Sequence, residues 1–226
     1  MCSHYQAVRE AERLKRYFGT SDLPEGARFD IWPGYTAPFF RRHRFADVGD
    51  EAVPDIEVLL GTFGLIPHWA KDNKIARQTY NARSETIASK PSFRDAWKKV
   101  QHCIIPAESI FEPDWRSGKA VATQISRYDG LPMGIAGLWA WWKSPHGIEQ
   151  HSFTMITINA EQHPLMKQFH KADDEKRMVV ILPENRYDDW LFSDQTHRVD
   201  FLQAYPADAL RAKAVEPSHH KDDRLL

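Results

Sequence analysis

Cysteine is scarce in this chain: Cys2 and Cys103 are the only two among 226 residues. Two thiols so far apart do not form a disulfide framework, and they lack the spacing of a zinc-ligand pair. No metal or organic cofactor is expected. Long apolar runs are missing too. Nothing approaches the roughly 18 apolar residues that a spanning helix needs, and the opening MCSHYQAVREAERLKRYF has no signal-peptide core. The expectation is a protein without a membrane partner in a reducing, cytoplasmic setting. Charge of one sign is also absent, because 30 Lys and Arg stand against 31 Asp and Glu, for a formal net charge of −1. Binding to nucleic acid would have to come from a local basic face. No repeat, low-complexity tract or linker appears. The length predicts one domain over residues 1–226, with a polar tail after about residue 217.

Aromatics, in contrast, are plentiful, with eight Trp. They serve cores and stacking surfaces equally. Residues 7–18 place Val8, Ala11, Leu14 and Phe18 on one helical face, and Gly19 follows as a stop. Pro24, Gly26, Pro33 and Gly34 mark a loop, and residues 58–66 read as a buried strand. A short helix is predicted over 91–100, with Ser92 as its cap and Phe93 and Trp97 four apart. Strand signals then dominate at 102–106, 120–128, 133–142, 151–158 and 178–182, with turns at Asp129-Gly130 and Ser144-Pro145-His146-Gly147. Residues 183–192 read as a helix opened by Pro183. Strand blocks with irregularly inserted helices predict an α+β fold: a mixed, largely antiparallel sheet or partly closed barrel flanked by helices.

Several residues can carry chemistry. A small residue at position 2 permits removal of Met1, which would leave Cys2 with a thiol and an α-amine on adjacent carbons. The amine has a reference pKa of about 7.7–8.0 and the thiol one of about 8.5. Such an aminothiol condenses with an aldehyde to a Schiff base and then to a thiazolidine. Alternatively, position 2 is simply tolerant and Cys2 incidental. In Tyr80-Asn81-Ala82-Arg83-Ser84-Glu85-Thr86, Asn81 can orient a nucleophile and Arg83 can hold a phosphate. The same string also fits a surface loop closed by an Arg–Glu ion pair. Glu112 lies on the hydrophobic segment 103–113, where burial would suit it to acid–base work; the other reading is an exposed carboxylate at a strand end. Cys103, between His102 and an Ile pair, reads as core. His170, ahead of a buried strand, can shuttle protons, with His163 as its competitor. Trp69 follows Pro67-His68 and can stack on a base or pack in the core. Arg41-Arg42-His43-Arg44 can touch phosphates or form the solvent face of an edge strand.

Taken in order, these segments resemble the SOS-response-associated peptidase (SRAP) family, which shields abasic sites in single-stranded DNA. The carriers are Met1-Cys2, Ala37-Pro38, Gly64-Leu65-Ile66-Pro67-His68-Trp69, Asn81 through Thr86, Cys103 through Ala107 with Phe111-Glu112, Ala136-Gly137-Leu138-Trp139, and His170 with Arg177-Met178. The resemblance implies that Cys2 is the nucleophile, Asn81 positions it, Glu112 is the acid–base group and His170 assists proton transfer. It implies further that Pro38, Trp69 and Arg83 hold the strand, with Lys90 and Arg94 as phosphate contacts. The expected partner is single-stranded DNA with abasic sites, bound by a monomer that associates with the nucleoid. The sequence departs from the family pattern at Ser3-His4-Tyr5, at Pro113, at an insertion over residues 171–176 and at Val179. A cysteine-dependent (auto)peptidase and a non-catalytic single-stranded-DNA-binding module are the other functions this pattern allows.

Overall fold

A computed structural model describes residues 2–20, 23–47 and 52–215. Met1 and the tail after residue 217, including whether that tail frays, lie outside the described residues. Twelve strands are found among the described residues, and β-branched and aromatic residues recur along the longer ones. They are β1 (His4–Ala7), β2 (Asp30–Ile31), β3 (Thr36–Arg42), β4 (Ile56–Phe63), β5 (Asn81–Arg83) and β6 (His102–Asp114). The chain continues with β7 (Val121–Arg127), β8 (Met133–Lys143), β9 (Glu149–Asn159), β10 (Arg177–Val179), β11 (Ile181–Leu182) and β12 (Leu210–Ala214).

Five of these strands close on themselves in the order β3-β4-β9-β8-β6, with β6 returning to β3. Only the β4–β9 contact in this ring is parallel. Closure pairs backbone groups that an open sheet would leave at its edges. The α+β barrel architecture expected above is therefore what the chain adopts. Phe39, Phe63 and Phe153 are all buried, and Phe153 stands 5.5 Å from Phe39 and 5.6 Å from Phe63 by ring centroid. Cys103 is buried among them in the same core, as its setting suggested.

Strand β6 organises the rest. Its first half pairs with β8, and its second half leaves the barrel to pair with β1 on one side and β7 on the other. Glu112 is thus carried to the edge where the N-terminal strand begins. Parallel pairing of β5 with β9 brings Asn81 opposite Met155. A tight approach sets up β5: the 3-10 turn Asn73–Gln78 packs its Ala76 carbonyl on Gly64, where a β-carbon would stand 1.9 Å from that oxygen. Gly64 also has φ +122°, which side chains rarely adopt, so glycine is required there twice over.

Helix α1 (Ala11–Phe18) starts later than its apolar pattern predicted: Val8 is buried before the helix and Ala11 is exposed on it. Gly19 ends it in a left-handed conformation as expected. Helix α2 (Arg94–Lys98) is entered through Phe93, and Ser92 does not cap it; Phe93 and Trp97 are buried as their spacing indicated. Over residues 183–192 a 3-10 turn precedes α3 (Tyr187–Phe192). No helix among the described residues is long and apolar enough to cross a membrane.

Candidate active site

The segment ahead of β1 carries Cys2 into the interior, where it is 1% exposed. Its thiol donates to the His4 carbonyl at 3.4 Å, and the Asn81 side-chain amide donates to the Cys2 carbonyl at 2.7 Å. Asn81 is itself buried, and its Oδ1 has no hydrogen-bond partner among the described residues. Burial pushes the Cys2 thiol well above its ordinary range, and the charge of Glu112 pushes it further. Strand register agrees: His4 pairs with Phe111 across β1 and β6, so Cys2 and Glu112 lie at the same end of that pairing.

Glu112 is 1% exposed, so the exposed-carboxylate reading of this residue fails. It lies 2.9 Å from the Nε2 of His170. His170 has φ +65°, one of two positive values at non-glycine positions among the described residues. Such a backbone costs on the order of 1–3 kcal/mol and persists only when its surroundings impose it. Here the imposing contacts are the His170 N–H donating to the Pro113 carbonyl at 2.9 Å and a bridge between Asp114 and Phe169. His163, the competing histidine, stands elsewhere: its Nδ1 accepts the amides of Leu165 and Met166, and Nε2 reaches the Tyr205 carbonyl at 2.8 Å.

Four residues read from the sequence, Cys2, Asn81, Glu112 and His170, therefore come together. Sequence reasoning missed Tyr80, whose phenol is raised by burial and by the charges of Cys2 and Glu112. It also missed what Arg177 does. This guanidinium is 1% exposed and bonds Glu85 through both nitrogens at 2.9 Å, Glu175 at 2.8 Å and the Thr157 carbonyl at 2.7 Å. Glu175 in turn reaches Arg83 at 2.9 Å. The ion pairs of the Asn81–Thr86 string thus leave the loop and do not close within it. The acidic block Asp173-Asp174-Glu175 between Lys171 and Lys176-Arg177 was the available signal, but nothing in it names the partners.

The residues expected at the strand-binding surface are dispersed. Trp69 is 47% exposed, with its indole N–H donating to the Pro91 carbonyl at 3.3 Å. That bond sets it beside the turn holding Lys90, which is exposed, and Arg94, which is 3.7 Å from Asp95. Arg83 is half exposed, and Pro38 is buried in β3 opposite Leu60. Of the basic run, Arg44 is exposed, but the run is not the solvent face of an edge strand. Arg41 is buried, ion-paired to Glu57 at 2.8 Å and stacked 4.0 Å over Trp139, while Arg42 pairs with Asp47. Strand β3 is paired on both sides, so it is not an edge.

A mixed barrel with a buried thiol next to the N-terminus, a carboxylate–imidazole pair beside it and a motif-borne amide on its carbonyl defines a class of protein. The model of the SOS response associated peptidase (SRAP) family matches residues 1–220, and the chain belongs to that family. It is 36% identical over 221 residues to the abasic site processing protein YoqW of Bacillus subtilis, covering 95% of this chain and 92% of that one. The YoqW protein of Bacillus phage SPbeta matches equally. A crystal structure of a protein from Bordetella bronchiseptica superposes with a TM-score of 0.85 at 47% identity, covering 95% of this chain and all (100%) of the other.

Proposed function

We propose that this protein acts on abasic sites in DNA and captures them covalently in single strands through Cys2. The observation that carries the reading is the convergence of the Cys2 carbonyl on the Asn81 amide at 2.7 Å beside the buried Glu112–His170 pair. Relatives named abasic site processing proteins support the substrate class.

The chemistry requires that Met1 be hydrolysed away, freeing the Cys2 amine. That amine adds to the ring-opened deoxyribose aldehyde to give a carbinolamine. Glu112 delivers a proton to the carbinolamine hydroxyl, water leaves, and an iminium remains. The sulfur then attacks the iminium carbon, the C=N electron pair returns to nitrogen, and the thiol proton passes to the Glu112 carboxylate. Glu112 ends as it began, and water is the only by-product. His170, 2.9 Å away, positions the carboxyl and exchanges its proton. Trp69, Arg83, Lys90 and Arg94 would hold the flanking strand without reading its sequence, and buried Pro38 would shape the floor beneath them from β3.

A thiol raised by burial and by a neighbouring carboxylate is a poor peptidase nucleophile, since that role wants a thiol lowered towards neutrality. Ring closure makes no such demand, because the iminium is already a strong electrophile. The test is a denaturing gel of protein with a strand carrying one abasic site, beside an undamaged strand and Cys2→Ala. A band that needs both the lesion and Cys2 is expected. An equal band from Cys2→Ala would overturn the proposal.

A further inference from the structure

An aromatic ladder crosses three strands beside Cys2. Register creates it: His4 faces Phe111 across β1 and β6, and Tyr5 faces Ile31 across β1 and β2, which brings Trp32 opposite His4. The His4 ring is sandwiched, with Phe111 at 4.1 Å and 14° on one side and Trp32 at 4.1 Å and 11° on the other. The Asp30 carboxylate holds its Nε2 at 2.6 Å.

Although His4 covers one face of Trp32, the residue is still 43% exposed. The turn that follows it closes with the Tyr35 N–H donating to the Trp32 carbonyl at 2.9 Å. Tyr35 is 40% exposed, and the Arg28 guanidinium lies 4.6 Å from its ring centroid. Arg77 lies against the same turn, its Cγ 4.0 Å from where a β-carbon on Gly34 would stand. Arg77 belongs to the 3-10 turn that leads into Tyr80 and Asn81. The patch is therefore continuous with both segments that build the Cys2 site. Flat rings interleaved with guanidinium groups suit unpaired bases and their phosphates.

We infer that Trp32 is a stacking platform for a base flanking the lesion, with Arg28 and Arg77 taking adjacent phosphates. The strand's identity rests on the function proposed above. His4 and Phe111 back the indole, so the platform is rigid before the base arrives, and the base adds a fourth ring to a stack of three.

Reversible binding tests this on strands whose central nucleotide is a tetrahydrofuran analogue, which has no aldehyde. Flanking bases on either side are kept or replaced by further tetrahydrofuran units, and wild type, Trp32→Phe and Trp32→Ala are compared. With bases present, Trp32→Ala is expected to bind about five- to a hundredfold more weakly, and Trp32→Phe less so. Removing the bases on one side should weaken wild type by a similar factor and leave Trp32→Ala unchanged. Trp32→Ala binding like wild type, or losing an equal further factor on the base-free strand, would overturn the platform. A parallel gel on an aldehyde-bearing strand separates the two ideas. No crosslink with the Trp32 coupling intact overturns covalent capture alone, and a crosslink without coupling overturns the platform alone.

Discussion

The side-chain amide of Asn81 donates a 2.7 Å hydrogen bond to the carbonyl of Cys2, joining residues 79 positions apart. The bond is buried, so it fixes the direction in which the Cys2 amine and thiol point.

Replacing Asn81 by Ala leaves a buried carbonyl without its donor, a loss on the order of 1–3 kcal/mol. The Tm should fall by several degrees. Crosslinking to an abasic strand should slow more than the stability loss explains. The check is single-turnover rates under conditions where both proteins are fully folded, and equal rates would remove the positioning role.

The Glu112–His170 pair predicts a second result. Glu112→Gln keeps the shape but cannot cycle a proton, and its crosslinking rate should drop about 10²- to 10⁴-fold. His170→Gln should cost less, because it removes only the partner of the carboxyl. Single-turnover crosslinking rates check both variants, and an unchanged rate in Glu112→Gln would exclude Glu112 as the proton donor.

Glu175 neutralises Arg83 at 2.9 Å, so a phosphate must displace a carboxylate to reach that guanidinium. Glu175→Gln should tighten reversible binding of an undamaged single strand by up to about fivefold, the scale of an exposed ion pair. Arg83→Gln should weaken it and make the salt dependence shallower by roughly 0.7 in log–log slope, one phosphate's share. The double variant should show no gain from Glu175→Gln. Titrations at several salt concentrations decide the matter.

His102 predicts how stability varies with pH. It is buried and stacked 4.0 Å from Trp190, and burial lowers its pKa to about 4. The unfolded chain keeps a value near 6.5, so between those limits it binds more protons than the folded one. Stability is then full above about pH 6.5 and falls as pH drops towards 4, by a total on the order of 3 kcal/mol. Urea melts between pH 4 and 8 should show this slope, and His102→Asn should flatten it around a lower plateau.

Three long strands were legible because β-branched and aromatic residues recur there between clear turn dipeptides, whereas β6, expected over 102–106, runs on to Asp114. Residues 120–128, 133–142 and 151–158 matched β7, β8 and β9 to within two residues at each end. Short strands were not legible. Strand β1 has four residues, β2 has two and β5 has three, too few for a period to show. They form because neighbouring strands offer backbone partners, and the candidate site is built on two of them. Arg41 shows the opposite failure: a run of cations read as surface contains a buried guanidinium, because Glu57, directly opposite on β4, and Trp139 of β8 supply a counter-charge and a ring.

The sequence by itself determined the chemical inventory: a cysteine at position 2, a motif amide, a carboxylate on an apolar strand, and too few cysteines or apolar runs for a stapled or helix-spanning protein. The tertiary structure alone decided that Cys2, Asn81, Glu112 and His170 meet, that Arg83 faces Glu175, and that His4 lies between two rings. Local periodicity is written in neighbouring residues. These meetings depend on strand register and barrel closure, which are set by pairings between strands far apart in the chain.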